Sequence, residues 1–280
     1  NHELKYSLRS LEKCMPWIRR VYIITDNQVP AWLNEQRVTI VDHGNIFPDK
    51  ANLPTFNSHA IELCQHRIDG LSENFLSFND DFILGKSTGK YDFFTKKGLP
   101  IIWAVKFRSK HTKQLLSGNY SRMPPHTAGD NRARRLILQA YGECMLFKIR
   151  HYPRAMKRSI MEEIWTRFFD EIHPTISAQF RTVDDVSTHA LFAYFTIATR
   201  QGKLRFINGF HQIVDTISGR LRHVGVTVGT SKFEQKLKLM KRLKPLTVCF
   251  NDSDRATENH WKVVNKFLED LYPEKSKYEN

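Results

Sequence analysis

The chain has few cysteines, no long apolar run and fewer acidic than basic residues. Its four cysteines (Cys14, Cys64, Cys144 and Cys249) are widely spaced and form no CxxC pair, which argues against a zinc site and favours reduced thiols in a cytoplasmic compartment. No run approaches the ~20 apolar residues of a membrane-spanning helix. No secretory signal opens the sequence, and its first residues already follow a helical pattern, so we expect a fragment of a longer polypeptide.

The composition predicts a folded protein with an anionic partner. Hydrophobic residues make up 41% of the 280 residues, which is enough to bury a sizeable core. The 43 Lys and Arg residues outnumber the 29 Asp and Glu residues, giving a formal charge of +14. Such a charge favours a polyanion or an anionic membrane face. Nucleic acid and a phosphate-containing polysaccharide fit it equally well.

Short β-branched runs, each preceded by a helix or a loop, indicate an α/β sheet. The predicted strands are VYIIT (21–25), VTIV (38–41), FLSF (75–78), PIIWAVKF (100–107), LRFING (204–209) and LTVCFND (246–252).

The character of the sequence changes at about residue 108, where a polar, basic stretch with Pro-Pro and Gly breaks begins. Residues 134–200 then have mostly helical patterns. We therefore expect an α/β core made of 1–107 and 204–280, and a basic loop with a helical lobe, 108–203, inserted into it.

Two acidic motifs follow apolar strands. Asn79-Asp80-Asp81 comes after FLSF, and Asn251-Asp252 comes after VCF. Ligands in open α/β sheets bind beyond the carboxyl ends of the strands. If the two strands are neighbours, three carboxylates converge, and Mg²⁺ or Mn²⁺ would relieve their repulsion. The alternative is that each Asn-Asp pair is an ordinary turn.

Two further segments contain groups suited to phosphate. In KIRHYPRAMKRSI, His151 lies at the start of a predicted basic helix together with Arg154, so a phosphate could bind there with His151 as acid or base. Arg181 precedes an acidic pair and has the paired N–H donors that suit a diphosphate. The alternatives are a solvated basic face for the first segment and a helix cap that pairs with Arg181 for the second.

Three collinear segments of the sequence resemble the Stealth family. The family's second conserved region is similar to ELKYSLRSLEKCMPWIRRVYIITDNQVPAWLN and to the stretches that follow it, up to HRIDGLSENFLSFNDDFILGK. KIRHYPRAMKRSI is similar to the third region and VCFNDSDRATENHWKVVNKFLEDLYP to the fourth. The family's first region, a strand ending in an acidic motif, would lie before Asn1.

The resemblance implies transfer of a sugar-1-phosphate. The donor would be a UDP-N-acetylhexosamine or another UDP-hexose, an acceptor hydroxyl would attack the phosphorus bonded to the sugar, and UMP would leave. By the same resemblance, Asp80, Asp81, His151, Arg181 and Asp252 are the expected catalytic residues. Asp81 is assigned as the base, and Asp80 and Asp252 as ligands of Mg²⁺ or Mn²⁺. The expected substrate-binding residues are Arg9, Thr55, Asn57, Ser58, His59, Asn79, Arg154 and Asn251.

The compact, basic, cysteine-poor sequence favours the bacterial capsule polymerases of this family. The fold expected is Rossmann-like (glycosyltransferase-A-like), with a mostly parallel sheet. The acceptor would be an anionic, phosphodiester-linked polysaccharide, which accounts for the +14 charge. The predicted location is the cytoplasm, with peripheral association at the cytoplasmic face of the inner membrane as an option.

Two other functions stay open on the sequence alone. A metal-dependent glycosyltransferase would use the Asp pair and release UDP instead of UMP. A nucleic-acid-binding module would interleave basic residues with exposed aromatic residues. Most aromatic residues here belong to apolar strand or helix patterns, so we predict no nucleic-acid partner.

Overall fold

The computed structural model of the protein describes residues 2–106, 118, 120–149, 152–206 and 223–280. Eight α-helices are present in these ranges: α1 (Glu3–Cys14), α2 (His43–Ile46), α3 (Ser58–Cys64), α4 (Pro125–Tyr141), α5 (Arg158–Ser177), α6 (Thr188–Ala198), α7 (Phe233–Leu243) and α8 (Glu258–Leu271).

The same ranges contain ten strands: β1 (Tyr22–Thr25), β2 (Thr39–Asp42), β3 (Asn74–Ser77), β4 (Phe82–Leu84), β5 (Ile101–Lys106), β6 (Phe147–Ile149), β7 (Arg154–Lys157), β8 (Lys203–Phe206), β9 (His223–Thr227) and β10 (Thr247–Asn251). All six predicted strands are present, with bounds that differ by a few residues. The prediction missed four short strands, β4, β6, β7 and β9.

The described strands form four small sheets. β1 and β2 are parallel, and β3 and β7 are antiparallel. β10 lies between an antiparallel β4 and a parallel β9, and β5 lies between an antiparallel β6 and a parallel β8. The predicted α/β class is confirmed in a mixed form. A single Rossmann-like parallel sheet is not present among the described strands, and that part stays a prediction, as does the division into core and lobe.

Two apolar clusters form the core. One is built largely from α3, α4, α5 and α6, and includes Ile137 and Phe195. The other is built around α1, α7, α8 and β10, and includes Leu8 and Leu268. These helices place apolar side chains three and four residues apart, as an amphipathic face requires.

The strands β1 and β3 lie between the two clusters. In β1, Ile24 packs against the first cluster and Ile23 against the second. In β3, Phe75 packs against the first cluster and Leu76 against the second. Successive side chains of a strand point to opposite faces, so both strands belong to one layer with one cluster on each face.

No helix in the described part of the chain is both long and apolar enough to span a bilayer. The helix α7 is basic, and its apolar residues Phe233, Leu237 and Met240 are buried. The helix α8 is capped at its start by Thr257.

Candidate active site

A cavity of about 1470 Å³ opens between β1 and β3. It is lined on one side by α1 and on the other by the face of α3 that carries Ser58 and Glu62. Asn79 and Asp80 also line it. The cavity therefore connects the predicted acidic motif to the N-terminal half of α3.

The acidic motif forms the turn between β3 and β4. The Phe82 N–H donates to the Asn79 carbonyl at 3.2 Å and closes the turn. Asp80 is exposed, whereas Asp81 is half-buried. One Asp81 carboxylate oxygen accepts from the Cys249 thiol, and the other, Oδ1, is buried with no hydrogen-bond partner among the described residues. The two adjacent carboxylates thus have different environments.

The environment of Asp81 favours its protonated form. Burial raises the pKa of the Asp81 carboxyl, the Cys249 hydrogen bond lowers it in part, and the charge of Asp80 raises it further. Burial also raises the pKa of the Cys249 thiol, as does its contact with Asp81. A carboxylate with a raised pKa binds a proton more readily, which suits a general base.

The second acidic motif does not join the first in a metal cluster. β10 pairs with β4, not β3, with Cys249 opposite Phe82. Asp252 is exposed, and its carboxylate accepts from the Ser253 N–H at 2.8 Å. No group of three or more His, Cys, Asp or Glu side chains in the described ranges is placed to hold a metal ion. The antiparallel register brings the end of β10 beside the turn that carries Asp80, but without a three-carboxylate cluster among the described residues, so the role of Asp252 as a metal ligand stays a prediction. Asn251 is exposed as well.

Buried polar contacts fix the start of α3. Asn57 caps the helix by accepting from the His59 N–H at 3.0 Å. Its side-chain amide donates to the buried Asp185 at 2.8 Å. The Thr55 hydroxyl accepts from the Asn57 N–H at 3.2 Å and donates to the Ala178 carbonyl at 3.3 Å. Thr55 and Asn57 thus hold the helix start against the segment that follows α5, and their polar groups are occupied by protein.

Arg181 reaches the cavity side of α3. Its guanidinium donates to the Ser58 hydroxyl, and the Arg181 residue is exposed. Asp185 accepts from the backbone and the hydroxyl of Thr182. Asp185 therefore stabilises the loop that begins at Thr182. It pairs with Asn57 and not with Arg181.

A buried polar chain joins α3, α6 and β3. Glu62 Oε2 lies 3.1 Å from His189 Nδ1, and His189 Nε2 lies 3.3 Å from the Ser77 hydroxyl. His59 Nδ1 is 3.7 Å from the same Glu62 oxygen, too far for a hydrogen bond. Burial alone would raise the pKa of Glu62, but the charges of His189 and Arg154 and the proximity of His59 lower it to about 2. Glu62 is therefore a carboxylate at neutral pH.

Arg154 extends this chain toward the acidic turn. It lies in β7, opposite Ser77 in β3. Burial lowers the pKa of Arg154, and the charges of Glu62 and Asp81 oppose that change. Arg154 thus lies within electrostatic reach of both carboxylates.

The basic segment expected at a helix start has a different structure. Arg154 and Lys157 belong to β7, and the helix begins only at Arg158. Lys157 pairs with Glu73 at 3.2 Å, and Arg158 pairs with Glu162 at 3.5 Å. These partners count against the predicted phosphate site at this helix start. His151 lies outside the described residues.

Arg9 is a structural residue. Its guanidinium is 5% exposed and donates to both Glu279 carboxylate oxygens, at 2.8 and 2.9 Å, and to the Tyr272 carbonyl. Protein groups occupy these donors and tie α1 to the C-terminal segment, which counts against the predicted contact between Arg9 and substrate.

Sequence reasoning missed Glu62, His189 and Ser77 as site residues. One signal was available for Glu62. It follows Ser58 by four residues, and residues four apart share a helix face. His189 and Ser77 belong to distant elements whose packing no local pattern indicates.

The comparisons with known proteins identify the family. A family model described as Stealth protein CR2, conserved region 2, matches residues 1–102, and one described as Stealth protein CR3, conserved region 3, matches residues 150–198. A capsular polysaccharide phosphotransferase of Haemophilus influenzae is 32% identical over 96% of this chain and 71% of its own length. The chain belongs to the Stealth family.

Other curated relatives of this Stealth protein have similar names. An exopolysaccharide phosphotransferase of Streptomyces coelicolor is 37% identical over 99% of the chain, and a capsular polysaccharide phosphotransferase of Actinobacillus pleuropneumoniae is 36% identical over 70% of it. The chain spans about half the length of these two relatives, 45% and 52% respectively. The matches to the second and third regions confirm the predicted family. The predicted fourth region stays a prediction.

Proposed function

We propose that this Stealth protein is a sugar-1-phosphate transferase of polysaccharide synthesis. The observation that carries the proposal is its similarity to proteins named as capsular and exopolysaccharide phosphotransferases, together with an acidic turn that opens into a large cavity. The donor would be a UDP-N-acetylhexosamine or another UDP-hexose. The acceptor would be a growing polysaccharide whose phosphodiester groups suit the +14 charge.

The reaction exchanges one bond at phosphorus for another. The acceptor oxygen forms a bond to the phosphorus attached to the sugar, and the bond from that phosphorus to the bridging oxygen breaks. UMP leaves with the electron pair, and a phosphodiester joins the donor sugar to the acceptor. Such transfers depend mainly on positioning and on neutralising charge.

The half-buried Asp81 is the proposed base, because its raised pKa suits acceptance of the acceptor hydroxyl proton. Arg181 is exposed beside Ser58 and would hold the diphosphate with its paired N–H groups. Arg154 would add positive charge behind the turn. His151, expected from the family pattern to act as acid or base, remains part of the proposal.

The exposed carboxylate of the turn fits a magnesium or manganese ion that is shared with the substrate. Mg²⁺ usually takes one or two protein carboxylates and completes its shell with water and substrate phosphates, so a closed protein cluster is unnecessary. Asp80 is exposed at the cavity and would hold the ion, while Asp81 would take the acceptor proton. Asp252, the second predicted ligand, remains part of the proposal. When bound, the ion would neutralise the diphosphate charge.

The test is product analysis. The protein is incubated with UDP-N-acetylglucosamine, Mg²⁺ and a phosphorylated oligosaccharide primer, and nucleotides are separated by chromatography. The proposal predicts UMP in proportion to phosphodiester formed, and loss of both when EDTA is added. UDP as the product would indicate glycosyl transfer and refute the phosphoryl mechanism.

A further inference from the structure

Two exposed phenylalanine rings stack on each other beside the candidate active site. Phe56 is 64% exposed and Phe180 is 60% exposed, which makes them the most exposed large apolar side chains in the described ranges. Their ring centroids lie 5.3 Å apart, and their planes differ by 15°. Single apolar side chains on a surface are ordinary, but adjacent ones beside a site indicate an interaction surface. The two rings form an aromatic platform.

The backbone that carries the platform is held by buried neighbours. The Phe56 N–H donates to the Gln179 carbonyl at 2.7 Å, directly before Phe180. On either side of Phe56, Thr55 and Asn57 are buried and hydrogen-bonded to protein groups. The rings are thus presented on a fixed backbone, so little conformational entropy is lost when a ligand binds to them.

The aromatic platform is continuous with the candidate site. Arg181 follows Phe180, and its guanidinium donates to the hydroxyl of Ser58, two residues after Phe56. Ser58 lines the cavity of about 1470 Å³, whereas neither ring lines it. The platform therefore lies immediately outside the cavity, on the side of Arg181.

We propose that the aromatic platform binds a pyranose ring of the polysaccharide acceptor. This inference rests on the proposed function, which makes the acceptor a polysaccharide. The C–H face of a pyranose is apolar and its hydroxyls lie at the rim, so the sugar stacks on an aromatic ring while its hydroxyls stay in water. The positive charge of Arg181 beside the rings favours an anionic polymer over a neutral apolar partner.

The openness of the platform favours the acceptor over the uracil base of the donor. Sites for small ligands bury most of the ligand surface. Both rings are more than half exposed and lie outside the cavity, so a nucleotide stacked there would stay largely in solvent. A polymer continues over the surface and gains from contacts outside the cavity. Exposed aromatic rings bind single-stranded nucleic acids in this way, one flat unit after another.

Binding in the absence of donor tests the platform. The complete polypeptide is titrated, in EDTA, into a fluorescent oligosaccharide of N-acetylglucosamine units joined by phosphodiesters. Phe56→Ala and Phe180→Ala should each raise the Kd about tenfold, which corresponds to 1.4 kcal/mol. The loss should persist when the salt concentration is raised, because salt screens charges and not an apolar contact.

Two further substitutions separate stacking from apolar bulk. Phe180→Tyr keeps the flat ring and should bind the oligosaccharide within about twofold of the wild type. Phe180→Leu keeps apolar volume without a ring and should lose about as much affinity as the alanine variant. The pair keeps the proposal testable if Phe180→Ala does not fold, and urea unfolding of each variant shows which ones do.

Phe169→Ala is the matched control. Phe169 is 41% exposed on α5, and it does not line the cavity or belong to the platform. Its removal should leave the Kd for the oligosaccharide unchanged. A loss equal to that of Phe56→Ala would show that any exposed phenylalanine has this effect and would overturn the assignment.

Three other results would overturn the proposal. These are no binding of the oligosaccharide by the wild type, equal affinities for the tyrosine and leucine variants of Phe180, and weaker binding of UDP in place of weaker binding of the oligosaccharide. The last result would make the rings a nucleobase site. Ring-dependent binding together with release of UDP in the product analysis would refute the proposed phosphoryl transfer and leave the platform standing.

Discussion

Replacing Glu62 by glutamine removes the negative charge from the buried polar chain and keeps its shape. The Glu62 side chain is 19% exposed, and its nearest basic partner, His189 Nδ1, lies 3.1 Å away. Arg154 also acts on this carboxylate electrostatically. Glutamine has nearly the same shape as glutamate, so the change tests the charge and leaves the packing almost intact.

The size of the effect follows from the lowered pKa. A fall in the pKa of Glu62 from 4.5 to about 2 corresponds to roughly 3 kcal/mol in favour of the folded, ionised form. We therefore expect Glu62→Gln to lower the free energy of unfolding by about 3 kcal/mol at pH 7. The contribution is complete above pH 4.5 and is lost as the pH falls toward 2, so at pH 3 the difference should be clearly smaller than at pH 7.

Urea denaturation at pH 7 and pH 3 measures both values. Glu73→Gln is the matched control, because Glu73 is half-exposed and forms a surface ion pair with Lys157 at 3.2 Å. Exposed pairs of this kind contribute about 0–1 kcal/mol. A Glu62→Gln protein that is less than 1 kcal/mol destabilised at pH 7, or equally destabilised at pH 7 and pH 3, would refute the electrostatic reasoning.

Two other substitutions have opposite expected effects, since one should change the reaction rate and the other the stability. Asp81→Asn should reduce the rate of UMP formation by about 10²–10⁴-fold without loss of stability at pH 7. As the pH is lowered, the wild-type rate should begin to fall earlier than it would with an ordinary aspartate as base, because the pKa of Asp81 is raised. An unchanged rate would remove Asp81 as the base. Arg9→Met should lower the free energy of unfolding, measured in urea, by about 3–5 kcal/mol, since Glu279 stays buried without its main partner. Lys5→Met is the control, because it removes only a longer 3.5 Å contact to Glu279. It should lower the free energy of unfolding by less than about 1 kcal/mol. Equal costs would show that burial of the Arg9 pair is unimportant.

The sequence predicted the strands that carry the site better than it predicted which strands pair with them. The short apolar run and its Asn-Asp ending locate β3 and the turn at Asp80 without a structure. Pairing partners are set by long-range packing, which a local pattern does not contain. The sequence therefore left open whether β10 lies beside β3, and in the structure it pairs with β4 through Cys249 and Phe82.

The segment around Arg154 shows a second limit. Its basic residues and the following helical pattern predicted one helix, whereas residues Arg154–Lys157 form β7 and pair with β3. A four-residue strand is too short for its periodicity to be distinguished from the first turn of a helix. The partner of Arg181 was also open, because Asp184 and Asp185 follow it by only three and four residues. Only packing makes Asp185 a partner of Asn57.

The separate roles of Asp80 and Asp81 follow from the strand that comes after them. If the turn ended the sheet, both carboxylates would be solvated and equivalent. The chain instead re-enters the core as β4, whose residue Phe82 is fully buried, and β10 pairs with it. This pairing brings Cys249 against Asp81 and leaves Asp80 exposed at the cavity. One carboxylate is thereby kept poorly solvated while its neighbour stays available for a cation, so a variant that frees β10 from β4 would remove the difference between them.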